Sequence, residues 1–174
     1  MKTEYNGIEF DSMEEVEFYM WIQEACDNGL IIGYKYQPDS FELSTKKVKC
    51  VTKRMKTKTK KIEKHLLHPH KYTADFGVLF TIKGIECEFP FTLASDGEAT
   101  IDIKGSFNQH GGDREFSINQ KWVYEKFGVY VNKVVPEKLF KATWCPKEAR
   151  LTPKTKQIKK KYAKCRTIEE FLNK

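Results

Sequence analysis

The sequence predicts a mixed α/β fold, α+β in character, with a central mixed β-sheet flanked by helices and a basic β-ribbon protruding from it. Three observations carry that expectation: the chain reads helix, strands, helix, strand; two helical stretches are long and amphipathic enough to cover a sheet; and one lysine-rich segment reads as two long strands. The 174 residues, 40% hydrophobic and 13% aromatic, suffice for one domain with a core of its own. Residues 1–146 are assigned to that core domain, ribbon 41–68 included, and residues 147–174 to a basic C-terminal extension.

Ser12 followed three residues later by Glu15 has the spacing of a capping box, and Asn28-Gly29 supplies a stop, so a helix is expected over 12–28. Residues 30–36 are β-rich and end at Gln37-Pro38, and the segment 41–68 forms the ribbon, hinged near 56–60. Residues 72–82 read as a strong strand, Lys83-Gly84 as a turn, 85–93 as an extended run broken by Pro90, and Ser95-Asp96-Gly97 as a further turn. A short strand follows over 99–104. Because Pro90 cannot donate to a ladder, residues 83–97 are expected to be an excursion, leaving the strands of Asp75 and Asp102 to pair directly. A loop over 105–113 leads to a second helix over 114–127, stopped by Gly128, and to a strand over 129–135. Beyond Pro136 come short helical pieces and basic coil, with Thr167 and Glu170 marking a final capped turn.

Charge is unevenly distributed. Lys and Arg number 31 against 24 Asp and Glu, a net +7, yet residues 46–64 carry ten cations and one Glu and residues 147–166 nine and one. The rest is acidic, with 12 cations facing 22 carboxylates. Two cationic segments beside an acidic body suit a phosphate backbone, so nucleic acid is the first partner expected. Lys53, Arg54, Lys56, Lys58 and Lys60 would be its contacts in one segment, and Lys154, Lys156, Lys159 and Lys160 in the other. The plain alternative is two solvated charge runs that confer solubility. No apolar run approaches the roughly 18 residues that span a bilayer, and the first residues lack the apolar stretch of a signal peptide, so neither membrane insertion nor secretion is expected. Five widely spaced cysteines without a C-x-x-C pair fit a reduced, cytoplasmic setting better than a disulfide framework or a zinc ribbon.

Strand geometry is the most informative guide to chemistry, because side chains alternate between faces. In Thr73-Ala74-Asp75-Phe76-Gly77-Val78 the apolar Ala74, Phe76 and Val78 share one face and Asp75 takes the other, whereas in Ile101-Asp102-Ile103-Lys104 the acid and the lysine share a face. If the two strands pair, two carboxylates and an ammonium converge. Carboxylates at close range repel unless a cation lies between them, and oxygen ligands of this kind suit Mg²⁺ or Mn²⁺. Such an ion polarises a phosphodiester and acidifies a bound water, while Lys104 orients that water or stabilises developing negative charge. For Asp102 and Lys104 by themselves, an ordinary solvated strand face with an Asp–Lys pair is the simpler account.

On the first helix Phe18, Tyr19, Trp21, Ile22, Ala25 and Cys26 form a continuous apolar arc into which Glu15 projects, with Glu14 nearer Trp21. A carboxylate on a core-facing stripe is costly unless paired or ligated. Completing the capping box with Ser12 is the competing role for Glu15, the two are compatible, and the choice between Glu14 and Glu15 as helix acid stays open. His65, His68 and His70 lack the spacing of a standard helical metal motif; phosphate contact or a place on a strand surface suits them better. Phe116, Val123, Tyr124 and Phe127 have core spacing on the second helix.

The ordered set of a helix-borne Glu15, the Asp of Tyr72-Thr73-Ala74-Asp75-Phe76 and the D-x-K of Ile101-Asp102-Ile103-Lys104-Gly105 resembles the PD-(D/E)XK nuclease superfamily. The flanking residues look most like those of phage-encoded Holliday junction resolvases and related endonucleases, over residues 5–135; the residue before Asp75 is Ala74 rather than proline. The resemblance implies a restriction-endonuclease-like core and metal-dependent phosphodiester hydrolysis with Mg²⁺, or Mn²⁺ as substitute. It implies Asp75, Asp102 and the Ile103 carbonyl as metal ligands, Lys104 as the catalytic lysine, Glu15 as the helix acid, and Gln120 or Lys121 beside the scissile phosphate. It implies branched DNA as substrate and a homodimer, since resolving a four-way junction takes two symmetric cuts, and a host cytoplasm for a phage-encoded protein. Three alternatives remain: a nuclease of the same fold acting on flaps, nicks or specific duplex sites, a non-catalytic nucleic-acid-binding protein, and a basic assembly factor that binds an acidic protein.

Overall fold

The computed structural model describes residues 2–105, 112–152 and 155–173. It begins with an element absent from the sequence reading, a small hairpin of β1 (Thr3–Tyr5) and β2 (Ile8–Phe10). Its turn, Asn6-Gly7, has φ of 51° and 76°, the double positive φ that a two-residue hairpin turn demands and that Asn-Gly adopts at little cost. Helix α1 (Met13–Asp27) follows, capped by Ser12, whose side chain accepts from the Glu15 N–H. Its apolar arc is buried: Phe18, Trp21, Ile22 and Ala25 are fully enclosed.

Strand β3 (Ile31–Tyr36) leads to β4 (Phe41–Ser44), the ribbon strands β5 (Lys47–Arg54) and β6 (Thr59–Leu67), then β7 (His70–Tyr72) and β8 (Phe76–Phe80). After α2 (Ile82–Glu86) come β9 (Glu98–Ile103), α3 (Gly112–Phe127) and β10 (Val131–Val134). Helices α4 (Pro136–Ala142) and α5 (Lys147–Arg150), a 3₁₀ turn (Lys160–Tyr162) and α6 (Ile168–Leu172) complete the chain. The central sheet has the order β10-β9-β8-β3, with β9 and β10 parallel across the α3 connection and the other pairs antiparallel. It is the mixed sheet with flanking helices that the sequence predicts.

Direct pairing of the two acid-bearing strands is observed: Phe76 stands opposite Ile101 in β8 and β9, and the intervening segment is an excursion outside the sheet. Three local expectations differ. The ribbon expected over 41–68 is β5 and β6 alone, because β4 pairs with β7 in a separate two-stranded sheet. The strand expected over 72–82 is two strands, because Tyr72 pairs with Phe41 in a separate two-stranded sheet while Phe76 pairs in the central one. Residues 73–75 carry the chain between them. Lys83-Gly84, expected as a turn, lies inside α2, whose N-cap Thr81 accepts from the Gly84 N–H at 3.0 Å. Glycine is needed there for close approach: a Cβ on Gly84 would lie 2.1 Å from the Leu30 carbonyl oxygen.

One face of the sheet packs on α1, α4 and the C-terminal segment, where Trp21 stacks on Trp144 at 4.6 Å and Phe89 and Phe171 close around them. The other face carries a smaller cluster of Leu43, Tyr72, Ala74, Phe116, Val123 and Val131 under α3. On α3 the buried stripe is Phe116, Asn119 and Val123, so Tyr124 and Phe127, expected in the core, stand exposed at 57% and 45%. The stripe is only one residue wide, and Tyr124 falls outside it. From the basic C-terminal extension, Ala149, Tyr162, Cys165 and Ile168 belong to the main core.

Candidate functional site

The site lies where β8 and β9 end on the side of α3. One residue beyond the Phe76–Ile101 pair, Asp75 occupies the bend between β7 and β8, so its side chain takes over from the ladder: Oδ2 accepts the Ile103 N–H at 2.6 Å. Alternation along β9 sends Ile101 and Ile103 into the main core and leaves Asp102 and Lys104 together on the α3 side, as read from the sequence. Asp102 is 4% exposed. Its Oδ1 accepts the Tyr72 hydroxyl at 2.7 Å, and Oδ2 forms an ion pair with the Lys104 ammonium. Among the described residues Oδ2 finds no donor in hydrogen-bonding geometry, so that ion pair is its only compensation. The Lys104 ammonium also lies over the Phe116 ring, 5.7 Å from its centroid.

Burial pushes the Asp75 carboxyl up to about 7, with the Asp102 charge adding to the rise and Glu15 contributing further. The Ile103 N–H and the Lys104 ammonium oppose that rise without cancelling it. Asp75, Asp102, Glu15 and Lys104 therefore share one electrostatic neighbourhood. Burial also raises the Tyr72 phenol far above its ordinary value, helped by Asp102, so Tyr72 donates a proton in its bond to that carboxylate and keeps it.

Glu15 comes from the start of α1 and is 6% exposed, whereas Glu14 is half-buried. The Glu15 carboxylate is fully engaged by the chain itself. Its Oε1 accepts the Ser12 hydroxyl at 2.9 Å and its Oε2 accepts the Tyr36 hydroxyl at 2.9 Å and the Asp11 N–H at 3.2 Å, so the expected capping box is replaced by bonds to the Ser12 hydroxyl and to the backbone one residue earlier. The Gln37 N–H donates to the Asp75 carbonyl at 2.8 Å and its amide reaches the Asp11 carboxylate and Tyr36 hydroxyl, tying helix and strand ends together. Tyr36, Gln37 and Tyr72 were not foreseen as site residues. The signal available for the tyrosines was a phenol beside a strand end that also bears a carboxylate.

A cleft of about 340 Å³ opens onto Asp102 and Lys104, lined also by His70, Tyr72, Glu115 and Asn119, with Asp75 and Glu15 outside its lining. The three histidines do not form one group. His65 and His68 stack at 4.9 Å on the ribbon side, while His70 stacks on Trp122 at 5.6 Å and bonds Asn119 at 2.8 Å. Gln120 spends its amide on the Val131 carbonyl at 2.6 Å, and Lys121 is exposed beside it on α3. Among the described residues no group of three or more His, Cys, Asp or Glu side chains has metal-holding geometry. The two neighbouring carboxylates of Asp75 and Asp102, with a buried Asp102 Oδ2 that lacks a hydrogen bond, have the oxygen chemistry that suits a hard cation.

Of the cationic contacts predicted, Lys53, Arg54, Lys56, Lys58 and Lys60 are exposed on the ribbon, as are Lys156 and Lys160 in the C-terminal segment. Lys154 lies outside the described residues. Lys159 is engaged: its ammonium lies 2.9 Å from buried Glu17 of α1, which also receives Lys161 at 3.3 Å and the Tyr162 hydroxyl at 2.5 Å. Glu17 was missed in the sequence, where it reads as one more acid in the first turns of a helix.

The chain matches no protein-family model, no curated protein and no solved structure. No helix among the described residues is long and apolar enough to cross a membrane.

Proposed function

We propose that the protein is a metal-dependent DNA endonuclease of the PD-(D/E)XK kind that cuts branched DNA in the manner of a Holliday junction resolvase, working as a homodimer in the cytoplasm. The observation that carries the reading is the convergence of Asp75, Asp102 and Lys104 at one sheet end, with Glu15 close enough to lift the Asp75 carboxyl further. Asp75 and Asp102 would hold Mg²⁺ or Mn²⁺, with the Ile103 carbonyl as a further ligand. When bound, such an ion supplies Lewis-acid polarisation of the phosphodiester and an acidified water. The chain's own part is positional and electrostatic. The Ile103 N–H fixes one oxygen of Asp75 and the Tyr72 hydroxyl fixes one oxygen of Asp102, whose other oxygen is paired with the Lys104 ammonium, so a bound cation would share Asp102 with Lys104. Lys104, 27% exposed at its side chain, presents its ammonium in the same cleft, where it stabilises negative charge on a phosphate oxygen. Glu15 anchors the end of α1 against Tyr36 and adds to the negative field.

A second reading, a non-catalytic nucleic-acid-binding protein, is favoured by the Lys104–Asp102 ion pair, which partly neutralises the strand end unaided. One experiment separates them. Purified protein is incubated with labelled four-way junction, flap, duplex and single-stranded DNA, with Mg²⁺ or chelator, beside Asp75→Asn and Lys104→Ala. Cleavage is expected only with metal and best on branched DNA. Lys104→Ala should lose roughly 10²–10³ in rate, and both variants should retain binding. Undiminished cleavage by Asp75→Asn, or no cleavage of any substrate by the intact protein, overturns the endonuclease reading.

A further inference from the structure

The ribbon of β5 and β6 has two faces of different character. Its register sets Lys49 opposite Lys64, Val51 opposite Ile62 and Lys53 opposite Lys60. Side chains of directly opposed residues share a face, and residues two apart along a strand share it too. One face is therefore a Val51–Ile62 pair bracketed by two lysine–lysine pairs. The opposite face carries Cys50 against Glu63, Thr52 against Lys61, Val48 against His65 and Arg54 against Thr59. It holds two cations and one carboxylate, against four cations and no carboxylate on the first.

Like charges directly opposed across a ladder oppose pairing, and a lone two-stranded ribbon is marginal in water. Here two such pairs occur on one face, and the ribbon packs on no core: every residue of β5 and β6 is exposed except the half-buried Val51. A ribbon that only had to fold would interleave charges, as its other face does. The lysine stems can lie along Val51 and Ile62 while their ammonium groups project outward. Lys49 and Lys53 are four residues apart on one strand, about 13 Å at the usual rise. A two-stranded ribbon also has the cross-section that the major groove of about 12 Å admits.

We infer that the Lys49–Lys53–Lys60–Lys64 face of the ribbon is a phosphate-binding surface for the backbone of a nucleic acid, and that the Arg54–Lys61–Glu63 face points away from it, which removes Arg54 from the contacts expected from the sequence. The inference rests on the nucleic-acid reading above and deepens it. Binding relieves the repulsion within each lysine pair, so the bound polyanion also orders the ribbon.

The test is binding of a fluorescent duplex followed by anisotropy across a salt series, in chelator so that cleavage plays no part, using the full-length protein. Lys49→Ala/Lys64→Ala, Lys53→Ala/Lys60→Ala and Arg54→Ala/Lys61→Ala each remove two positive charges. Each lysine-face double variant should flatten the slope of log affinity against log salt by about 1.8, at roughly 0.9 for every phosphate that is no longer neutralised, while the Arg54/Lys61 variant leaves it nearly unchanged. Lys49→Arg/Lys64→Arg should keep the intact slope, and matching far-UV circular dichroism of all variants shows that the fold is intact. Ribbon amides should also gain hydrogen-exchange protection on binding. Equal loss from both faces, or greater loss from the Arg54/Lys61 variant, overturns the face assignment while nucleic-acid binding stands. Absence of salt-dependent binding by the intact protein overturns both.

Discussion

Asp75 is the residue whose physics is most exposed to experiment. Its carboxyl is held at about 7 in the folded protein, chiefly by burial and by the Asp102 charge, against about 4 in an unfolded chain. A carboxyl raised on folding favours the folded state while it is protonated. Its contribution is fully present below about pH 4 and is lost as pH rises towards the folded value near 7. In chelator, stability should therefore decline across that window by about 4 kcal/mol from this group alone. Asp75→Asn should remove that decline, leaving the variant more stable than the parent at pH 8. Chemical denaturation at pH 5 and pH 8 measures it, and an unchanged pH dependence in the variant contradicts it. Tyr72→Phe tests the neighbouring bond: it leaves Asp102 Oδ1 without its donor in a buried place, which should cost about 1–3 kcal/mol.

Among the elements, α1 is held by two buried acids on different sides of the helix, Glu15 and Glu17. Glu15 ties it to β3 through Tyr36, and Glu17, 3% exposed, ties it to the C-terminal segment through Lys159, Lys161 and Tyr162. Buried ion pairs stabilise little when whole but cost much when halved. Lys159→Ala with Lys161→Ala should thus destabilise the fold by roughly 3–5 kcal/mol. Adding Glu17→Gln should recover a large part of that loss, because it removes the stranded charge. Denaturant unfolding of the three proteins reads this out; a double lysine variant as stable as the parent shows that water already reaches Glu17. Basic residues 147–166 thus divide, some bracing α1 and others, such as Lys156 and Lys160, free to meet a ligand.

For the molecule as a whole, folding and ligand contact are assigned to separate parts of the chain. The core is built from the central sheet, its helices and the C-terminal segment, while β5 and β6 contribute none of the buried hydrophobic residues. Replacing residues 47–67 by a short turn should therefore leave thermodynamic stability within about 1 kcal/mol, since loop length enters closure entropy only logarithmically. The same replacement should weaken binding to duplex DNA at moderate salt and flatten its salt slope. Collapse of the fold on deletion would show that the ribbon supports the core, and unaltered affinity would show that it does not meet the ligand.

Much of this was legible in the amino-acid order because it is local. The cap at Ser12, the apolar arc of α1, the alternation that puts Asp102 beside Lys104, and the ribbon hinge all follow from residues a few positions apart. Direct pairing of β8 with β9 was readable because Pro90 made an intervening central strand unfavourable. Other features depend on partners distant in sequence. The break at 73–75, which frees Asp75 to take the Ile103 N–H, exists because Tyr72 and Phe76 pair in different sheets. Which phenols bond which acids, and that Glu17 rather than Glu14 is buried under the C-terminal segment, are settled by packing. Residue order alone dictates the class of fold and which charged side chains share a strand or helix face, since both follow from backbone periodicity. Which of those charges are desolvated, and by what they are compensated, is set by the assembled fold, because burial and pairing depend on elements that meet across the whole chain.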